Sequence, residues 1–178
     1  MAWKSRGLRG SGLEDLITDS IQRYRDMKLA VIQKIPTPIT PINIEKETRH
    51  ITLAYFDRKS TVDYMGVVQG IPVCFDAKEC AEDTFPLANI HPHQVEFMAD
   101  FEQQGGIAFL MLLFTSRQEY YYMPFAEMME FWTRMNNGGR KSFLISELDP
   151  QYYLDVKKNG FLPILEGLQK DLANREDN

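Results

Sequence analysis

Asp63 and the tripeptide Asp76-Ala77-Lys78 bring two carboxylates and an ammonium into one short stretch, a set able to bind a cation and act on a phosphate. They sit in the run from Ser60 to Glu79, which reads as two strands joined by a Gln69-Gly70 turn. With those two residues as the loop, directly opposed positions have numbers that add to 139, so Asp63 faces Asp76 and Thr61 faces Lys78. Side chains alternate with period two. Thr61, Asp63, Asp76 and Lys78 therefore share one face, and Val62, Tyr64, Val68, Val73, Phe75 and Ala77 share the other. The expectation is one face of core and one of chemistry. A bulge at Gly66 or Pro72 would shift the register by one and undo the alignment.

Two carboxylates placed directly opposite on a sheet repel by about 3 kcal/mol at ~5 Å and an effective dielectric of ~20. A hard divalent cation compensates such a pair, because Mg²⁺ takes a few carboxylate and neutral oxygens and keeps several waters. Lys78, two residues beyond Asp76 on the same face, could hold a metal-bound water or stabilise negative charge building on a phosphate. That is the equipment of a phosphodiesterase. A D-x-K tripeptide alone fits a surface hairpin with one Asp–Lys pair equally well; the upstream Asp63 at matched register shifts the balance toward the first reading.

The elements on either side of this stretch are legible too. Ser11-Gly12-Leu13-Glu14 has capping-box spacing, and Leu13, Leu16, Ile17, Ile21 and Tyr24 follow at helical intervals, predicting a helix over about 11–27. Leu29 to Lys34 reads as a short strand stopped by Pro36-Thr37-Pro38, with Pro41 delaying the next regular element. Ile42 to Phe56 looks extended, its polar centre at Glu45 to His50 being the tip of a protruding hairpin. Downstream, Pro92 opens a helix striped by Val95, Met98 and Phe101 and ended by Gly105-Gly106. Ile107 to Phe114 is continuously apolar, as in a strand covered on both faces, and Glu119 to Met123 pairs with it. Pro124 opens a helix that Asn136 to Gly139 closes; a basic patch, Arg140-Lys141, precedes a last helix over about 160–173. The order is helix, three or four strands, helix, strand, strand, helix, a mixed α/β domain.

Composition sets limits. A chain of 178 residues, 44% apolar and 25% charged, is that of a globular domain able to fold without disulfides or a structural metal. Cys74 and Cys80 are too few for a disulfide framework and lack the partners of a zinc motif, which fits reduced thiols in a cytoplasmic protein. The longest apolar run is far short of the roughly 20 residues of a membrane span. The net charge of −5 argues against nucleic acid when taken alone. It is segregated, though: residues 1–35 carry seven basic and four acidic side chains, residues 64–100 one basic and six acidic.

The order of elements with D-(x)12-D-x-K resembles the PD-(D/E)xK nuclease superfamily, and the details are similar to RecU, the Holliday junction resolvase family of Gram-positive bacteria. The similar pieces run in order: Arg9-Gly10 with Leu13-Glu14, Ala30-Val31-Ile32 leading to Pro36-Thr37-Pro38-Ile39, Ala54-Tyr55-Phe56, Ser60-Thr61-x-Asp63-Tyr64, and Phe75-x-Ala77-Lys78-Glu79. They continue through Phe85-Pro86-Leu87, His93-Gln94, Gly106-Ile107, Phe131-Trp132 and Gly139-Arg140-Lys141-Ser142.

The resemblance implies a restriction-endonuclease-like core, a mixed sheet flanked by helices, in a single nuclease domain over 1–178 with a stalk at 37–59. It implies that Thr61, Asp63, Asp76 and Gln94 surround Mg²⁺, with Mn²⁺ as a substitute, and that Lys78 stabilises the transition state. It also implies a homodimer acting on four-way junction DNA, with a RecA-type recombinase as a further partner. Glu14 matches an acidic position that often points to the site in the superfamily, and it equally fits a capping-box glutamate. Two departures stand out: Asp76 replaces the family's glutamate, and the segment after Lys78 is acidic, Glu79-Cys80-Ala81-Glu82-Asp83, where the family is basic. They keep open a junction-binding, recombinase-modulating protein with decayed chemistry, and a related nuclease acting on other branched DNA. His91 and His93 read as capping or loop packing rather than as ligands, and Tyr120 to Tyr122 as strand residues, at least one of them core.

Overall fold

A computed structural model describes residues 12–56 and 61–176; the expected cap Ser11, the motif residues Arg9, Gly10 and Ser60, and the end of the 37–59 segment lie outside them. Helix α1 (Gly12–Asp26) buries Leu13, Ile17 and Tyr24 at the predicted spacing. Its start is held from across the chain, Leu13 N–H donating to Glu79 Oε1 at 2.8 Å. Strand β1 (Ala30–Lys34) follows, then β2 (Ile39–Ile44) and β3 (Ile51–Phe56), which form a two-stranded antiparallel sheet of their own. Pro41 lies inside β2 rather than delaying it. It pairs with Ala54 beside a register shift, a tolerable place for a residue with no N–H to give to a ladder.

Strands β4 (Tyr64–Val68) and β5 (Ile71–Cys80) pair from Tyr64↔Phe75 to Val68↔Ile71, the register predicted from the Gln69-Gly70 turn, with no bulge. Gly70 has φ +91 and Gln69 φ +48, left-handed conformations that the turn requires. Gly66 has a different reason to be glycine. A Cβ there would stand 2.2 Å from the Val31 carbonyl oxygen, so its bare backbone lets β1 lie against β4.

Beyond β6 (Thr84–Pro86), a 3-10 turn at Leu87–Asn89 leads into α2 (Pro92–Gln103). Strand β7 (Ile107–Phe114) is buried at every residue, and β8 (Glu119–Pro124) runs back beside it. Helix α3 (Phe125–Asn136), β9 (Ser142–Leu144), β10 (Tyr153–Leu154), α4 (Val156–Asn159) and α5 (Ile164–Glu176) complete the described chain. The last helix starts later than expected because Gly160, at φ 68, ends the short α4 first. The principal sheet has the order β1-β4-β5-β7-β8-β10; β5 and β7 are parallel and the other neighbours antiparallel. It is the expected mixed sheet flanked by helices. The pairing of β6 with β9 and the edge strand β10 are additions that three-residue and two-residue strands do not announce in sequence.

One face of the sheet carries a stack of aromatic rings: Tyr64 on Phe75 at 4.8 Å, Phe75 on Phe109 at 4.6 Å, Phe109 on Tyr122 at 4.3 Å. Helix α5 lies against it so closely that a Cβ on Gly167 would meet Tyr122 Cγ at 2.5 Å. The opposite face carries Asp76 and is covered by α2 and α3, through Gln94 on Asp76 and Glu127 on the Tyr121 hydroxyl. Both faces are therefore core. Both cysteines are buried free thiols, and among the described residues no helix is long and apolar enough to cross a membrane.

Gly66→Ala should separate β1 from β4 and cost about 2–3 kcal/mol, lowering Tm by roughly 5–10 °C. Thermal unfolding by circular dichroism checks it, with amide exchange in β1 rising first.

Candidate active site

The antiparallel ladder between β4 and β5 ends at Tyr64↔Phe75, one pair short of the two aspartates. Side chains continue it. Asp63 N–H donates to Asp76 Oδ1 at 2.9 Å, and Ala77 N–H donates to Asp63 Oδ2 at 3.2 Å, so each carboxylate is held by the opposing backbone. The Asp63 carbonyl in turn accepts Ile35 N–H at 2.7 Å, fixing this corner to the end of β1. On its other side β5 is parallel to β7, with Asp76 beside Leu110. Asp76 is thus bound into the middle of the sheet and has no solvent exposure. This corrects the simple division into core face and chemistry face: α2 packs over the carboxylate and turns that face into interior as well.

A buried carboxylate needs donors, and Asp76 has three. Besides the Asp63 amide, its Oδ2 receives Gln94 Nε2 at 2.7 Å and lies 2.5 Å from Lys78 Nζ. Lys78 is mostly buried, keeping 18% of its side-chain surface exposed. Asp63 is left with the greater electrostatic burden. Its carboxyl is pushed up to about 6, first by burial, then by the charge of Asp76 and the hydrogen bond with it; the Ala77 amide and Lys78 only partly offset this.

Gln94 reaches Asp76 because α2 begins where it does. Pro92 is the first helical residue, and Gln94 Oε1 accepts His91 N–H at 3.1 Å, which fastens the side chain to the start of its own helix. In this state Gln94 turns its amide nitrogen, not its oxygen, toward the carboxylate. His91 and His93 stack ring on ring at 5.4 Å and 11°, the packing role expected of them.

The remaining sequence candidates are placed differently. Thr61 is half-buried just before Val62, and no hydrogen bond joins it to Asp63, Asp76, Lys78 or Gln94 among the described residues. Glu14 Oε2 lies 2.6 Å from Lys34 Nζ, an exposed pair at the foot of α1. The residue that sequence reasoning misses is Glu79: one past Lys78, it alternates to the other face and caps α1. Only that alternation, read against an uncapped helix start, hints at the role.

Among the described residues no cluster of three or more His, Cys, Asp or Glu side chains comes together. Two carboxylates backed by an amide side chain suit a hard cation of the Mg²⁺ type, which takes one or two carboxylates and keeps its waters. A buried aspartate with a half-buried one opposite it and a lysine beside it, carried by a mixed sheet between helices, is a set able to bind a cation and act on a phosphate.

The chain belongs to the RecU family, described as Recombination protein U, whose pattern matches residues 8–170. It is 39% identical over 170 residues to the Holliday junction resolvase RecU of Limosilactobacillus reuteri (strain DSM 20016), covering 93% of this chain and 83% of that one. The protein of the same name from Listeria innocua serovar 6a is 41% identical over 167 residues, covering 92% and 82%. A solved structure of Archaeoglobus fulgidus Hjc, a Holliday junction resolvase from an archaeal hyperthermophile, overlaps 63% of this chain and 76% of that chain at TM-score 0.39 and 11% identity.

The raised carboxyl has a consequence for stability. An acid whose folded pKa exceeds its unfolded value binds more protons when folded, so stability falls as pH rises between about 4 and 6. Asp63→Asn should therefore stabilise the metal-free protein at pH 7 by about 1–2 kcal/mol and lose most of that advantage at pH 4. Urea unfolding of both proteins in EDTA at the two pH values checks it; an equal difference at both would contradict the assignment.

Proposed function

We propose that this chain is a divalent-metal-dependent endonuclease that resolves four-way (Holliday) DNA junctions by hydrolysing phosphodiester bonds at symmetric positions. The observation that carries the reading is the fully buried Asp76, with Asp63 opposite it and Lys78 and Gln94 both on its Oδ2. Family membership supports it, together with relatives named Holliday junction resolvase RecU.

Asp63 and Asp76, with Thr61 and Gln94, would hold Mg²⁺ or Mn²⁺; once bound, the ion supplies a Lewis acid and a water of lowered pKa. The chain's own part is positioning. The reciprocal backbone bonds at Asp63 and Asp76 fix the two carboxylates before any ligand arrives, which saves reorganisation at the moment of reaction. Lys78 brings a positive charge to the same oxygen and keeps a solvent-facing edge, where it can neutralise charge growing on the scissile phosphate.

Cutting a two-fold junction at opposed positions calls for two such sites, and a homodimer provides them. The surface is suited to self-association. The β2–β3 hairpin exposes Ile42, Ile44, Ile51, Leu53 and Tyr55, and the β1–β4 edge exposes Val31 and Val67, more apolar surface than a two-stranded hairpin and a sheet edge leave in water at no cost.

The wild-type protein should introduce paired nicks in a synthetic four-way junction with Mg²⁺ and leave a linear duplex of the same sequence intact. Asp63→Ala should lower cleavage on the order of 10³-fold or more while junction binding in Ca²⁺ persists. Gel analysis of end-labelled strands reads both results. Binding without nicks by the wild type would assign a junction-binding, recombinase-modulating role instead; cleavage without preference for the junction would assign another branched-DNA nuclease.

A further inference from the structure

We propose that the turn carrying Arg140 and Lys141 is a phosphate-binding element that holds the DNA strand beside the carboxylate site, an inference that rests on the nuclease reading above. The turn is built rather than loose. Helix α3 ends at Asn136, Gly138 takes φ +82, and a Cβ on Gly139 would stand 2.7 Å from the Arg134 carbonyl oxygen. Gly138 N–H donates to Met135 O at 3.0 Å and Gly139 N–H to Arg134 O at 2.9 Å, folding the chain back onto the helix end. Beyond the two cations the backbone is fixed again: the Lys141 carbonyl accepts Leu87 N–H at 3.0 Å, the Ser142 carbonyl accepts Arg134 Nη2 at 2.8 Å, and Ser142 pairs with Pro86.

The bond at Leu87 ties the turn to the segment that leads into the site. Leu87 opens the 3-10 turn that delivers the chain to His91, and Gln94, seven residues from Leu87, reaches Asp76. That segment thus joins the base of the two cations to the helix that touches Asp76. Phe85 and Phe131 both stack on Phe143, at 5.0 Å and 4.6 Å, and pin that segment from beneath.

The two cations are not committed to holding the fold. Arg134 shows what a structural arginine looks like here: Nη1 lies 2.6 Å from Glu147 Oε1 and Nη2 bonds the Ser142 carbonyl. Arg140 makes a bond to Ser142 Oγ at 3.1 Å and stands 3.8 Å from Glu147 Oε2, an oxygen already accepting Leu144 N–H at 2.7 Å. Lys141 is exposed, and its ammonium has no ion-pair partner among the described residues. A chain of net charge −5, acidic just past Lys78, must draw DNA affinity from local clusters, since phosphate neutralisation supplies most of it. Two adjacent cations on a backbone tied to the segment leading into α2 form such a cluster, and the strand we assign to them is the one entering the proposed site.

The test uses the full chain and a synthetic four-way junction in Ca²⁺, with binding measured from 50 to 200 mM salt. The double variant Arg140→Gln, Lys141→Gln should bind at least about tenfold more weakly at ~150 mM salt. Its slope of log K against log salt should be shallower by about two units, one for each phosphate that is no longer neutralised. Mn²⁺ affinity without DNA and Tm should match the wild type, and the charge-keeping exchange Arg140→Lys, Lys141→Arg should restore most of the slope. An unchanged slope in the double variant beside a wild type that binds and cuts junctions overturns the inference and leaves the nuclease reading standing. Loss of Tm or Mn²⁺ affinity along with DNA binding overturns it too, by making the turn structural. A wild type that does not bind the junction overturns both.

Discussion

Asp76 is a carboxylate with no access to water, and the arrangement around it follows from what that costs. Removing an ionised carboxylate from solvent is expensive unless donors replace the lost hydration. Here they come from three directions: an amide from the segment preceding β4, an amide side chain from α2, and an ammonium two residues along β5. The first two each fix another element to β5. The site is thus the joint at which the β4–β5 hairpin and α2 are fastened together, and removing Asp76 would leave Lys78 largely buried without its counter-charge.

The far end of α2 is fixed by a second, partly buried network. Glu102 takes Arg175 at 2.6 and 2.8 Å and accepts Ala108 N–H at 2.7 Å. Arg175 also pairs with Asp171 at 2.8 Å, and Asp171 accepts the Tyr122 hydroxyl at 2.9 Å. Through these bonds α2, α5, β7 and β8 share one set of charges at the end of α2 remote from Gln94. A helix clamped at both ends holds Gln94 at a defined distance from Asp76, the rigidity that a site with only two carboxylates needs.

Much of this is legible in the sequence because it is local. The register of β4 and β5 follows from a two-residue turn, and the parity of Asp63, Asp76 and Lys78 follows from the register. The continuous burial of β7 and the start of α2 at Pro92 follow from an apolar run and a proline. What does not follow is long-range. Gln94 stands 18 residues from Asp76, and no spacing rule connects them; the family resemblance alone points to it. The capping of α1 by Glu79, the pairing of Glu14 with Lys34 and the β6–β9 ladder all join segments far apart in the chain. The burial of Asp76 is also hidden, because alternation tells which face a side chain takes and not whether another element will cover that face.

Anomalous diffraction from crystals soaked in Mn²⁺ asks most sharply whether the pair of Asp63 and buried Asp76 holds a metal. One peak is expected between Asp63 and Asp76, with Lys78 Nζ displaced from its place 2.5 Å from Asp76 Oδ2, since a cation and an ammonium compete for that oxygen. A peak elsewhere, or an empty carboxylate pair with Lys78 still seated at saturating Mn²⁺, would contradict the assignment of these two carboxylates as the metal site.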